Sequence, residues 1–150
     1  MANRLSIRGI EDRDVPAVVA LWRAAGVTRP WNDPEADIAA ARRGAHSTIL
    51  VGALDSSEEP SDGLIATAMV GEGGHRGWVY YVAVDPAHQR CGIGRDIMKA
   101  AERWLIERGV AKLNLLVRSD NVAVRAFYEK RGYERSDVVC LQKVLARHEG

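Results

Sequence analysis

The stretch that most constrains this chain runs from Tyr80 to Arg95 and reads YYVAVDPAHQRCGIGR. Val82, Ala83 and Val84 form a short apolar run with β-branched residues, as in an internal strand. Asp85-Pro86 ends it, because proline brings no N–H to a ladder and favours a turn. Beyond the glycines, Ile93, Ile97, Ala100, Ala101 and Trp104 recur at helical spacing, with one face turned inward. Gln89 to Gly94 therefore lies where a helix begins. A helix start carries N–H groups without intrahelical acceptors and the positive end of the dipole. Gly92 and Gly94 let the backbone curl around a phosphate with no Cβ in the way, and Arg90 and Arg95 add positive charge. The residues read as a pyrophosphate cradle. A tight turn is the simpler alternative for Gly-x-Gly alone. No Walker Gly-Lys-Ser/Thr follows, and Asp96, two residues after Gly94, does not continue a dinucleotide fingerprint.

A second segment, NVAVRAFYEKRGY from Asn121 to Tyr133, decides between these readings. The spacing Gln89-x-x-Gly92-x-Gly94 resembles the acetyl-CoA-binding signature of the GNAT N-acetyltransferase superfamily. The downstream Asn121, Ala126-x-Tyr128 and Gly132-Tyr133 resemble that family's second signature. Two motifs in this order and separation are far more specific than one, and the resemblance covers essentially the whole chain. Within the family it is similar to bacterial ribosomal-protein N-terminal acetyltransferase-like members, with one departure described below.

Composition is compatible with this and excludes other classes. At 150 residues a single domain, 1–150, is expected. Hydrophobic residues make up 47% and charged residues 27%, ordinary for a globular protein with a core. The formal net charge of +1 gives no global field to recruit nucleic acid or an anionic membrane. No apolar run approaches membrane-spanning length, and the N-terminus lacks a signal-peptide core. Cys91 and Cys140 read as free thiols, so a cytoplasmic protein is expected.

Along the chain, Leu5 to Arg8 alternates as a first strand. A helix starts near Glu11-Asp12, takes Pro16 in its first turn and buries Val15, Val18, Val19 and Trp22 before Gly26. Asn32 or Asp33 caps a second helix, with Pro34 at its start, that runs to Arg43. Strands follow at Ser47 to Leu54, Leu64 to Gly71 and Trp78 to Val84, with a polar, mobile tip expected at Asp55 to Gly63. The cradle helix ends near Arg108-Gly109. Lys112 to Arg118 reads as a fifth strand, and Asn121 caps a helix that Gly132 terminates. Tyr133 to Arg135 and Val138 to Leu145 read as a final hairpin. The order matches the GNAT fold: α/β (α+β), a twisted mixed sheet of about seven strands with four helices on both faces.

The resemblance implies where the chemistry lies. Strands four and five splay apart, and the backbone of Val82, Ala83 and Val84 pairs with the pantetheine arm of acetyl-CoA; a plain core strand is compatible with the same residues. Gln89, Arg90, Cys91, Gly92, Ile93, Gly94 and Arg95 hold the pyrophosphate, mainly through N–H groups. Asn121 matches a cofactor-contacting position, or is only a helix cap. Tyr128 matches the general acid that protonates the departing thiolate. A phenol near ~10 and a thiol near ~8.5 make that transfer feasible. Where similar protein N-terminal acetyltransferases carry a fifth-strand glutamate base, this chain has Leu116. A protonated amine of pKa ~10.4 costs roughly 4–5 kcal/mol to neutralise at pH 7, so Glu72, His75, Asp33 and Glu35 are the candidate bases. Trp31, Asn32 and Asp33 lie where the family shapes its acceptor site, Trp31 being either a platform for the acceptor or a hydrophobic plug. The implied partners are acetyl-CoA and an amine, either a small molecule or a peptide N-terminus; a homodimer is left open, and no metal site is expected. The rival of another class is an acyl-CoA-binding sensor without turnover, against which Tyr128 argues, since binding alone needs no acid.

Overall fold

The computed structural model describes residues 5–54 and 63–146. The expected polar tip at 55–62 lies outside them. The chain forms two compact units, one ending at Leu115 and one beginning at Leu116.

The first unit is built on a five-stranded sheet in the order β1-β2-β3-β4-β5. Its strands are β1 (Leu5–Gly9), β2 (Ser47–Leu54), β3 (Leu64–Glu72), β4 (Gly77–Val84) and β5 (Leu113–Asn114). The first four pair antiparallel in sequence order, and β5 adds to β4 in parallel. Three helices accompany them: α1 (Val15–Ala24), α2 (Pro34–Ala41) and α3 (Ile93–Glu107). The expected start of α1 is a separate 3-10 turn over Asp12–Asp14. Asp14 is fully buried there, held by Arg8 at 2.6 and 2.9 Å and by the Glu11 N–H at 2.8 Å. A buried carboxylate is tolerated only when its lone pairs are met in this way.

Side-chain alternation along β2 divides the packing between two layers. Ile49 and Val51 join Val18, Val19, Leu21 and Trp22 of α1 and Ile38 and Ala41 of α2 in one buried cluster, with Leu64, Met69 and Ala83. Leu50, pointing the other way, lines a groove with Ala100, Arg103 and Trp104 of α3. β3 is buried from Leu64 to Gly71, the pattern of a strand covered on both faces. Gly77 allows the close approach of α3, for a Cβ there would lie 2.6 Å from the Leu105 side chain.

The second unit carries α4 (Val122–Glu129). Asn121 caps it by accepting the Val124 N–H at 3.3 Å, and Gly132 follows it with φ +90°. Two expectations are corrected. Only Leu113–Asn114 of the expected fifth strand forms a ladder. The final hairpin is absent among the described residues, so the described sheet has five strands rather than about seven. Val138, Val139, Leu141, Val144 and Leu145 are all exposed. Apolar content marks a segment able to form a strand, but a ladder also needs a partner's N–H and C=O groups, which composition does not supply.

Candidate active site

The junction between β4 and α3 carries the features expected of the cradle. β4 meets β5 only at Gly77↔Leu113 and Trp78↔Asn114. From Val79 to Val84, β4 is paired with β3 on one side and has no ladder on the other among the described residues. Asp85 closes the strand by capping a 3-10 turn over Pro86–His88, accepting the Ala87 N–H at 2.9 Å. The chain then bends through Arg90 (φ +67°) and Gly92 (φ +79°) into α3.

The first intrahelical bond of α3 runs from the Asp96 N–H to the Gly92 carbonyl, and no side chain caps the helix. The N–H groups of Ile93, Gly94 and Arg95 are therefore free to meet an acceptor from outside the helix. The Arg95 guanidinium folds over the same point: a Cβ on Gly92 would lie 2.9 Å from its Nη2 atom. Arg95 is shared with Asp96 at 3.3 Å, whereas Arg90 has no partner among the described residues. Cys91 and Gln89 brace the loop, Cys91 Sγ donating to the Gln89 carbonyl at 3.6 Å and Gln89 Nε2 to the Val84 carbonyl at 3.4 Å. A free N–H cluster, adjacent cations and a left-handed glycine at the helix start together fit a pyrophosphate.

β4 itself is irregular in its middle. Its register against β3 shifts by one residue between Thr67↔Ala83 and Met69↔Tyr80. The added residue is a bulge, and Tyr81 sits in it with φ +49°, a conformation uncommon for a bulky side chain. Three contacts hold it, and a further hydrogen bond ties two of its partners together. The Tyr81 ring stacks on Trp22 of α1 with centroids 3.8 Å apart and planes 5° from parallel. Its phenol donates to Asp37 Oδ2 of α2 at 2.6 Å. Thr67 Oγ1 donates to the Tyr81 carbonyl at 2.9 Å and accepts from Trp22 Nε1 at 2.8 Å. Burial first, then the hydrogen bond to Asp37 and the nearby charges of Asp37 and Asp33, push the Tyr81 phenol far above the usual tyrosine range. Sequence reading did not single out Trp22–Tyr81–Asp37. The available signal was Tyr80-Tyr81, two consecutive aromatics that interrupt strand alternation.

The other expected residues are dispersed. Asp33 caps α2, its Oδ1 accepting the Ala36 N–H at 3.1 Å, while Asn32 folds back on Arg29. Trp31 is 66% exposed, so it is not a hydrophobic plug. Glu72 and His75 belong to the β3–β4 turn, the end of β4 away from the cradle. With eight residues in β4, that end is about 23 Å along the strand from Val84. The Glu72 carboxylate accepts from His46 Nδ1 at 2.7 Å and from the Gly74 N–H. These two bonds, His46 first, hold it below the usual carboxylate range. A carboxylate so engaged is a weaker base than the free side chain expected from sequence.

Within the second unit, the Tyr128 ring is buried between Phe127 and Tyr133, in edge contacts with centroids at 5.1 and 5.5 Å. Burial pushes its phenol up to about 12. The near match to a thiol that an ordinary tyrosine would give is therefore lost.

A model of the Acetyltransferase (GNAT) family matches residues 16–133, which span both units and both glycine motifs. The chain belongs to this family. It is an acetyl-CoA-dependent N-acetyltransferase. It is 38% identical over 141 residues to a protein of Yersinia enterocolitica named acetyltransferase, covering 94% of this chain and 96% of that protein. Among solved structures, the ribosomal-protein-S18-alanine N-acetyltransferase of Escherichia coli superposes with a TM-score of 0.74 at 28% identity, covering 89% of this chain and 79% of that one. The aminoglycoside N-acetyltransferase AAC(6')-Iy, solved with CoA, shares the fold alone: TM-score 0.80, 13% identity, 97% and 98% covered. No helix among the described residues is long and apolar enough to cross a membrane.

Proposed function

We propose that this GNAT protein transfers acetyl directly from acetyl-CoA to an amine of low pKa, an α-amino group such as a peptide N-terminus. Acetyl-CoA supplies an acyl group already activated as a thioester. The observation that carries the reading is the junction of a half-paired strand with three N–H groups that lack intrahelical acceptors. In this reading the main chain of Val82, Ala83 and Val84 pairs with the pantetheine arm. The N–H groups from Gln89 to Arg95, with the Arg90 and Arg95 side chains, hold the pyrophosphate. Asn121 contacts the cofactor, and Trp31, Asn32 and Asp33 line the acceptor site.

Tyr128 holds a proton for the sulfur. With its pKa pushed to about 12 it stays protonated across the physiological range. Against a thiol near ~8.5, proton transfer in water would run about 3.5 units uphill, roughly 5 kcal/mol. Its role is to donate a hydrogen bond to the departing sulfur, passing the proton only as removal from water raises the thiolate's own basicity.

Two observations support the acceptor class. By the resemblance, Leu116 stands where protein N-terminal acetyltransferases carry a glutamate base, so this chain has less base to offer than they do, and the Glu72 carboxylate is already occupied. An α-amino group near ~7.7–8.0 is already about 10–17% neutral at pH 7, against under about one part in a thousand for an amine near ~10.4, and needs no strong base. The likeness to an enzyme named for acetylating a protein α-amino group points the same way. The test is an acceptor screen that follows CoA thiol release, comparing peptide α-amines with alkyl amines of pKa ~10. The reading predicts preference for the α-amines. It also predicts an acidic limb in kcat/KM that moves with acceptor pKa and is unchanged by Asp33→Asn, Glu72→Gln or His75→Gln. A limb abolished by one of these substitutions would assign the base to that side chain and overturn the acceptor assignment.

A further inference from the structure

We infer that Tyr81 and Asp37 are positioning residues for the transfer, through which helix α2 sets the shape of the β4 bulge beside the thioester. The inference rests on the reading that the β4 main chain from Val82 to Val84 receives the pantetheine arm.

A bulge turns the strand and re-aims the groups that follow it. Here the group that follows is Val82, the first residue of the cofactor-pairing run. Tyr81 occupies the left-handed region at φ +49°, which costs an ordinary side chain about 1–2 kcal/mol. Such a conformation persists when the surroundings over-determine it. The surroundings do so from three elements at once. Trp22 of α1 fixes the ring plane, Thr67 of β3 fixes the carbonyl, and Asp37 of α2 fixes the phenol. Thr67 is fully buried, and its hydroxyl is shared between Trp22 and the Tyr81 carbonyl, so main chain and ring are locked together.

Asp37 is the adjustable member of this set. It is only half-buried and forms no salt bridge among the described residues. The phenol contact is a hydrogen-bonded link from α2 to β4, beside the buried cluster that Ile38 and Ala41 share with Ala83, and α2 begins directly after Trp31, Asn32 and Asp33. A shift of this acceptor-side segment would reach the bulge directly through this hydrogen bond. This assigns function to residues that neither glycine motif contains.

The test uses Tyr81→Phe, Asp37→Ala, Asp37→Asn and the Tyr81→Phe/Asp37→Ala double variant of the full chain. Each is assayed for kcat, for KM toward both substrates and for CoA affinity by calorimetry. Tyr81→Phe and Asp37→Ala should each lower kcat about 10- to 100-fold while CoA affinity stays within about threefold, because the pyrophosphate cradle is untouched. Asp37→Asn, which still accepts from the phenol, should recover kcat to within about threefold of the parent. The double variant should be no worse than the poorer single one, since both remove the same bond. Parental kcat in Tyr81→Phe and Asp37→Ala overturns the inference. So does Asp37→Asn as slow as Asp37→Ala, additive losses, or rates that merely track a fall in melting temperature. Amide NMR of the parent separates this from failure of the underlying reading. If CoA leaves the Val82–Val84 amides unmoved, the strand-pairing reading fails. If those amides shift and the variants keep parental kcat, only the positioning role fails.

Discussion

Replacing Gly92 with valine tests the cradle at the point where the backbone leaves no freedom. Gly92 has φ +79° and is the N-cap of α3, with no side-chain cap of its own. A non-glycine residue in that region costs about 1–2 kcal/mol, and a β-branched one is a worse fit still. The new Cβ would lie 2.9 Å from Arg95 Nη2, close enough to displace the guanidinium. For a domain of this size, each kcal/mol lowers Tm by about 2–4 °C, so a loss of about 3–8 °C is expected. Binding suffers separately. Valine methyls occupy the space a phosphate oxygen needs, removing one or two hydrogen bonds to a charged acceptor at about 1.5–3 kcal/mol each. A loss of about 3 kcal/mol is about 150-fold in Kd. Calorimetric titration with CoA, below the variant's melting range, measures it directly. Gly92→Ala, with a Cβ but no branch, should lie between parent and valine. If folded Gly92→Val bound CoA as tightly as the parent, the pyrophosphate would not sit on this loop.

Tyr128→Phe keeps the ring contacts with Phe127 and Tyr133 and removes only the proton donor. CoA affinity should persist while kcat falls by about 100-fold, the low end of general-acid effects given the raised phenol pKa; an unchanged single-turnover rate would remove Tyr128 from the chemistry. The same phenol makes stability depend on alkaline pH. Its folded pKa, about 12, lies above the unfolded value near ~10, so its contribution is complete below about pH 10 and lost as pH rises through about 12. Denaturant titrations between those values should show a decline, to which the raised Tyr81 phenol also contributes, and Tyr128→Phe should reduce it by about 2–3 kcal/mol. Glu72 has the opposite sign: its depressed pKa means a contribution present above the ordinary glutamate value and lost as pH falls through the folded one. Glu72→Gln should melt below the parent at about pH 6, with the gap closing as pH falls through the lowered folded pKa.

Much of the first unit was legible because its signals are local. Asp33 before Pro34, and the Ile93, Ile97, Ala101 spacing, mark helix starts and faces through short-range rules. The turn at Gly92 was legible for the same reason, since glycine is favoured where the chain turns left-handed into a helix. What escaped depends on contacts distant in sequence. Tyr81 meets Trp22 and Asp37 across dozens of residues, and nothing in local periodicity pairs them. Glu72 looked like a free base because its partner, His46, enters from another strand's start. The expected hairpin over 133–145 failed from the reverse cause. Val138-Val139 and Val144-Leu145 have strand composition, yet pairing is a property of two segments.

The most direct test of the account is a crystal structure with CoA bound. The account predicts pyrophosphate oxygens accepting from the N–H groups of Ile93, Gly94 and Arg95, and the pantetheine arm paired with the main chain of Val82 to Val84 along the side of β4 that β5 leaves open. CoA bound elsewhere, with those N–H groups and that strand edge untouched, would contradict it.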